Sequence, residues 1–472
     1  MGGAHRWGRV VVIGNSIAGL LVAHGLADHA DQVTIIDRDH IPEEPGHRAG
    51  VPHGRHIHVV LAAGRRSLEA LLPGILDDLA ALGVPTIVMP RDMVQLNRSR
   101  WVQRWSEGQP LLTGTRPLVE HAIRRRVLTH PHIEAVDAVE AVGLVGDAAR
   151  VRGVRVRARG AGDEQTMAAD LVVDASGRSS RTSQWLADLG ARPPAEERIE
   201  TGVAYATRRY RADASPTGGD YRAIYLVPPP GSGRSGVVMP IETAGHYLVT
   251  LTGLAGDEPP TDPDGFEAFA AGLEHPLVHQ WLSTAEAVGP PFGYRSTANV
   301  RRRYDRLRGP EGLLVVGDAV TSFNPVYGQG ISVAALGALA VARALAKGQP
   351  STAQLQRLVV AAGEQAWRIC TGVDKALPTA TGNAARTSPL DRVAGWYLDR
   401  VQQHAASDPV VGGAFRDVLH LLAPSRSLFA PRVVRRVLFR RPAPSPAEPP
   451  LYREEETGEP APTPASPRPS SP

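Results

Sequence analysis

One stretch near the start of the chain leaves little freedom in what can form around it. Residues 9–13 (RVVVI) are mostly β-branched and apolar, and residues 14–19 read GNSIAG. Residues 20–26 have helix composition, and residues 32–36 (QVTII) lead into Asp37 with Arg38 beside it. An apolar strand entering a glycine turn and then an apolar helix is the grammar of a βαβ unit in a parallel sheet buried on both faces. The turn carries the dinucleotide fingerprint with Ser16 at the middle glycine position. Gly14 permits the tight turn and Gly19 lets helix and strand lie close. Ile17 and Ala18 open the helix whose positive end faces a pyrophosphate, and Asp37 stands where an acid takes a ribose hydroxyl. Glycines interrupt the apolar run and no small-residue cleavage site follows, so residues 6–26 do not read as a secretory leader.

A second crossover stands late in the chain. Residues 313–316 (LLVV) suit a buried strand, residues 317–332 read GDAVTSFNPVYGQGIS, and residues 333–346 are mostly Ala, Leu and Val. Gly317 and Asp318 end the strand with an acid that can reach a ligand hydroxyl. Pro325, Gly328, Gln329, Gly330 and Ile331 form a turn in which backbone N–H groups can approach a ring at a helix N-terminus. Between the two lies ADLVVDASGRSSR at residues 169–181, where Asp174 again ends an apolar strand beside a glycine.

Composition narrows the partners. The chain has 472 residues, a net charge of +4 and a single cysteine, Cys370, which excludes an internal disulfide and a cysteine-type zinc site. With no apolar run as long as a membrane span and no basic stripe with interleaved aromatics, we expect a cytoplasmic protein without transmembrane segment or nucleic-acid partner. The loop GHRAGVPHGRHIH at residues 46–58 is rich in histidine but has no carboxylate, which argues against a metal. Phosphate or ring-edge contact by Arg48 or Arg55 is favoured over a solvated loop.

Helices are expected over residues 64–82 and 118–128, the latter with Thr115 as N-cap. Arg116 and Arg124 lie eight positions apart and can share one face. Strands are expected over residues 87–95, 100–105, 133–144 and 149–157. The antiparallel set 221–227, 236–240 and 246–252 is separated by turns at 215–220, 228–235 and 257–264. Residues 431–441 form a basic amphipathic segment, docked on the body or weakly touching a membrane surface through Arg432 to Arg441. The fold class is α/β: a Rossmann-like dinucleotide domain with an inserted, mainly antiparallel β substrate domain and a C-terminal helical region. The dinucleotide domain takes residues 1–85, 111–189 and 299–348, and the substrate domain takes 86–110 and 190–298. Residues 349–441 are helical, and 442–472 are expected to be disordered.

Taken in order, GNSIAG with Asp37, DLVVDASGR and GDAVTSFNPVYGQG resemble the FAD-dependent monooxygenases of the aromatic-hydroxylase fold over about residues 10–346. Together with VPHGRHIH they resemble a bacterial secondary-metabolism branch that includes polyether polyene epoxidases and is similar to squalene epoxidases. The resemblance implies that Gly14, Ser16, Gly19 and Asp37 hold the ADP part of FAD and that Asp174 lies near the flavin and the ADP ribose. It places Asp318 at the ribityl or pyrophosphate group, Gly328 to Ile331 at the ring edge, and Arg116 near FAD. No side chain stands out as catalytic; Pro325, Gly328 and Gly330 lie nearest the ring. Thr321 stands where aromatic hydroxylases usually have histidine, and Ser332 where they have asparagine. The implied activity is oxygen transfer from a flavin C4a-hydroperoxide to an apolar polyketide or terpenoid, by epoxidation or hydroxylation, in antibiotic-type biosynthesis. A related possibility is structural FAD in a protein that performs a non-redox Diels–Alder closure. No second nucleotide unit is visible, so NAD(P)H would act directly or through a separate flavin reductase.

Overall fold

The computed structural model describes residues 7–212, 220–227 and 233–452. At its centre is a five-stranded parallel sheet in the order Leu313–Val315, Leu171–Asp174, Trp7–Ile13, Ala30–Ile36, Ile133–Val136. The three motifs therefore end on neighbouring strands, with Ile13 paired to Asp174 and Asp174 to Val315. Val10 to Val12, Val172, Val173, Leu314 and Val315 are 2 % exposed or less, so the sheet is covered on both faces. The Ile17–Ala27 helix packs on the Gly330–Lys347 helix, which packs in turn on Ala62–Leu71 and Thr352–Asp374. The approaches are close: a Cβ on Gly25 would lie 3.2 Å from that of Ala342, and one on Gly64 would lie 2.6 Å from Ser332 Oγ. By length and composition alone Gly330–Lys347 could cross a membrane. Its burial between three helices shows why a core crossover helix passes the same test.

A seven-stranded sheet forms the second layer, in the order Glu286–Tyr294, Ala204–Arg211, His246–Gly253, Ser235–Pro240, Ala223–Val227, Met93–Asn97, Arg100–Trp101. Of residues 86–110 only Met93–Asn97 and Arg100–Trp101 join it, and Met93–Asn97 runs parallel to Ala223–Val227 in an otherwise antiparallel array. Two helices that the turn-rich composition hid, Pro263–Ala271 and Leu277–Leu282, cover one face and bury Phe266 and Trp281 against Tyr210 and Val249. The turns expected at 215–220 and 228–235 lie mostly outside the described residues.

Several long segments are broken by local backbone. The stretch 64–82 is two helices, Ala62–Leu71 and Ile75–Ala81, because Pro73 interrupts and Gly74 takes φ of 84°. The stretch 133–144 splits at Ala138, with φ of 53°, into Ile133–Val136 in the parallel sheet and Val139–Gly146 in a separate three-stranded meander. Residues 87–95 divide between Thr86–Met89, paired with Gln109–Leu112, and Met93–Asn97; only Arg100–Trp101 of 100–105 is strand. Thr115 does stand at the N-cap of Arg116–Val127, yet its hydroxyl binds Glu242 and no side-chain cap forms.

The C-terminal region is helical: Thr352–Asp374, Pro389–Ala405, Pro409–Leu419 and Pro431–Phe439. The last is docked through fully buried Val433 and Val437. Residues 442–452 depart from the expected disorder. Ser445 Oγ accepts from the Trp101 N–H (2.9 Å), Ala447 O accepts from the Trp101 indole (3.4 Å), and Tyr452 N donates to Asp220 (2.7 Å). An edge strand with free backbone groups is thus covered by a proline-rich strap. The rest of the tail, 453–472, lies outside the described residues.

Candidate functional site: a cleft joining two glycine turns

One elongated cavity of about 480 Å³ runs from the Gly14 turn to the Gly328 turn. Gly14, Ser16, Ile17, Ala18, Asp37, Arg38, Arg116, Gly317, Asp318, Pro325, Gly328, Gln329, Gly330 and Ile331 all line it. Two motifs some three hundred positions apart in sequence thus share one wall.

At the first end, Gly14 has φ of 112°, and a Cβ there would lie 2.6 Å from Ala175 O. Gly19 does not line the cavity; a Cβ on it would meet the Gly14 carbonyl at 1.9 Å, so its absence of side chain seats helix on strand. Asp37 accepts from Asn15 N (2.8 Å) and Asp39 N (2.9 Å), and Arg48 Nη1 lies 3.3 Å away. Below the turn sits a hub that sequence reasoning missed. Glu120, 5 % exposed, accepts from Arg48 (2.6 Å), Arg124 (2.7 Å) and Ser16 Oγ, while Arg116 donates to Ser16 Oγ (2.9 Å). Burial alone would raise the Glu120 carboxyl, but Arg116 and Arg48 outweigh it and hold it below the usual range. Arg116 and Arg124 do share a face, and Glu120 midway between them was the signal available in the sequence. Of the two loop arginines, Arg48 lines the cavity, whereas Arg55 is exposed and stacks 4.5 Å from the Phe292 ring, away from it.

Asp174 also differs from its expected role. It is fully buried and accepts from Ser176 N (2.9 Å), Thr182 Oγ1 (2.6 Å) and Ser180 Oγ, so its carboxylate is consumed by its own turn. What reaches the cavity is the turn it shapes, Ala175 through Ser179, including Arg178.

At the other end, Gly317 (φ 59°) and Gly328 (φ 62°) are left-handed. A Cβ on them would lie 2.6 Å from that of Ala18 and 2.5 Å from Val59 Cγ2 respectively. Asn324 caps the turn by accepting from Val326 N (3.2 Å), and the turn is anchored from behind by buried Asp374, which accepts from Asn299 Nδ2 and from the Tyr327 hydroxyl. Burial raises the Asp318 carboxyl despite Arg116 and Arg178, and among the described residues nothing donates a hydrogen bond to it.

The histidine loop is packed rather than solvated. His56 hydrogen-bonds Thr207 Oγ1 (2.8 Å), which bonds Thr250 Oγ1 (2.7 Å), and its ring stands edge-on to Tyr205 at 4.7 Å. His53 and His58 line the cavity beside Tyr294. Burial is the main cause that brings His53 down to about 2, His56 to about 4 and His58 to about 3, with Arg116 adding to it at His53 and His58 and Arg55 at His56. All three are neutral at physiological pH.

Comparison with known proteins agrees with this geometry: residues 8–369 match the family described as the FAD binding domain. The chain belongs to that family. It is 33 % identical over 432 residues to Protein Rv3254 of Mycobacterium tuberculosis, covering 86 % of this chain and 88 % of the relative. It is 28 % identical over 343 residues to a kynurenine 3-monooxygenase of Salinispora tropica, covering 69 % and 70 %. In fold it is similar to the p-nitrophenol 4-monooxygenase PnpA from Pseudomonas putida (TM-score 0.60, 18 % identity, 88 % and 99 % covered). It is also similar to the flavin-dependent brominase Bmp2 (TM-score 0.59, 17 % identity, 87 % and 92 % covered).

The residues present fit FAD. The cleft is long, has a glycine cradle at both ends, and presents Asp318 and Arg116, whose buried Nε has no partner. Asp37 and the Ser16 turn would take the adenosine and pyrophosphate, Asp318 the ribityl hydroxyls, and Gly328 to Ile331 the ring edge.

Proposed function

We propose that this chain is an FAD-dependent monooxygenase that adds one oxygen atom to an electron-rich double bond of an apolar, polyketide- or terpenoid-like molecule. The observation that carries this reading is the single cleft whose two ends are the Gly14 and Gly328 turns. Bound FAD would supply reductive activation of dioxygen. The protein's part is to bind, orient and keep water out. The Gly330–Lys347 helix N-terminus and the N–H groups after Pro325 would favour negative charge beside the ring. Tyr294 and the neutral His53 and His58 add aromatic rings to the lining beside Arg116 and Arg178.

Hydroxylating a phenol is helped by a base near neutrality. His53 and His58 are too weakly basic for it, which supports epoxidation, where orientation and dryness suffice. Two of the structural neighbours are halogenating or brominating enzymes. In this chain both lysines, Lys347 and Lys375, lie outside the cavity lining, so no lysine amine is available there to carry an electrophilic halogen. Electrons would come from NAD(P)H, directly or through a separate flavin reductase.

The test is product analysis of the FAD-loaded protein with a flavin reductase, NADPH and ¹⁸O₂ on polyene and aromatic polyketide substrates. Incorporation of one labelled oxygen is expected. Turnover that persists without oxygen or reductant would replace this reading with a non-redox cyclisation.

A further inference from the structure

Among the described residues, five large apolar side chains are more than half exposed: Val393, Trp396, Phe429, Phe439 and Leu451. All but Leu451 belong to the C-terminal helical region, and Phe439 is the most exposed at 81 %. These four are neighbours in space. Val393 and Trp396 lie three positions apart on the Pro389–Ala405 helix and share a face. Phe429 stacks on Tyr397, the next residue, with ring centroids 4.7 Å apart. The Arg400 guanidinium carbon lies 5.6 Å from the centre of the Trp396 ring, and its Nη2 donates to Val437 O at 3.1 Å in the last helix. That helix, Pro431–Phe439, is docked by Val433 and Val437. At about 3.6 residues per turn, its opposite side presents Arg432, Arg435, Leu438 and Phe439, all exposed.

The same region is strongly basic. Residues 386–441 contain ten arginines, four aspartates, and neither lysine nor glutamate, a surplus of six positive charges in a chain whose total is +4. Three of the aspartates are already paired: Asp391 with Lys375, Asp399 with Arg98 and Asp408 with Arg436. Arg392, Arg426, Arg432, Arg435, Arg440 and Arg441 are exposed and have no ion pair among the described residues.

Apolar rings gathered on a surface mark a contact site, and the charge around them selects what it contacts. A second copy of this chain would set arginine against arginine. A bilayer with anionic headgroups satisfies both halves of the face: the rings enter the interface while the arginines stay with the phosphates.

We propose that the face formed by Trp396, Phe429 and Phe439, with the unpaired arginines around it, docks on the surface of an anionic lipid bilayer. The last helix then holds the body with one side and lipid with the other. The contact is peripheral, because a helix of nine residues cannot span a bilayer. It does not depend on the monooxygenase reading, and it puts the protein where an apolar substrate would collect.

The experiment is sedimentation of the full-length protein with phosphatidylcholine vesicles, with or without about one-third phosphatidylglycerol. At low salt the anionic vesicles are expected to bind at least about tenfold more tightly, and about 0.5 M salt should remove the preference. Trp396→Ser with Phe439→Ser should weaken binding about tenfold, and Arg432→Glu with Arg435→Glu should abolish the anionic preference. All four positions are exposed, outside the cleft, and an unchanged thermal melt shows that the fold is kept. The proposal is overturned by equal binding to both vesicle types, or by no binding to either. It is also overturned by anionic binding that survives loss of the two rings, since charge alone would then suffice. If binding appears only once residues 453–472, with their four glutamates, are removed, the tail is the occupant and the proposal fails. A dimer that Phe439→Ser breaks would give the face to a second copy and overturn it equally. Should a variant fail to fold, the two vesicle types compared on the unaltered protein still decide.

Discussion

At the scale of single residues, the site depends on charges that would be costly alone. Glu120 compensates Arg48 and Arg124 directly and Arg116 at 3.8 Å, in a pocket almost closed to water. Removing one partner of a buried network leaves the others uncompensated, at a cost of about 3–5 kcal/mol. Glu120→Ala is therefore expected to lower unfolding stability by that order, measured by urea denaturation of the FAD-free protein, and to loosen the Ser16 turn so that FAD binds more weakly. Unchanged stability would mean that water takes over the role of the carboxylate. The same scale shows where motif reading misassigns. Asp174 and Asp318 both end apolar strands beside a glycine, yet one is spent on its own serine-rich turn while the other faces the cleft. The serines and threonine after Asp174, each able to donate to it, are the local difference that separates the two.

Between elements, the Gly328 turn is held by residues distant in sequence. Asp374 ends the Thr352–Asp374 helix, and its carboxylate accepts from Tyr327 in the turn and from Asn299, whose Oδ1 in turn accepts from Asn324 N (2.7 Å). Two neutral donors without a cation do not cancel burial, and the carboxyl is raised from 3.8 to about 6. A folded pKa above the unfolded one means that the native state binds more protons between those values. Stability is then highest below the unfolded pKa and falls as pH rises through about 6, by about 3 kcal/mol for a shift of this size. Asp374→Asn should flatten the loss between pH 4 and 7 in thermal melts, whereas an unchanged slope would assign the loss to other groups. The parallel sheet, the three strand-end turns and the crossover helices were legible because each is written in contiguous residues. The Asp374 anchor, the Glu120 hub, the packed histidines and the strap over Trp101 were not, since each joins residues dozens to hundreds of positions apart. Breaks at Gly74 and Ala138 were missed because apolar periodicity continues across them while the backbone does not.

For the molecule as a whole, the layer of the parallel sheet and that of the seven-stranded sheet are joined by a C-terminal helical region that touches both. The Pro409–Leu419 helix accepts from Gln329 of the cleft and from Gln109 of the Gln109–Leu112 strand, which ties its position to both. The account's central claim is a single FAD stretched along the cleft. The direct measurement is a crystal structure of the protein grown with FAD. The adenosine ribose should lie against Asp37, the ribityl chain against Asp318, and the isoalloxazine edge against the backbone of Gly328 to Ile331. Density that leaves the Gly328 turn empty, or a flavin ring bound elsewhere, would contradict the account.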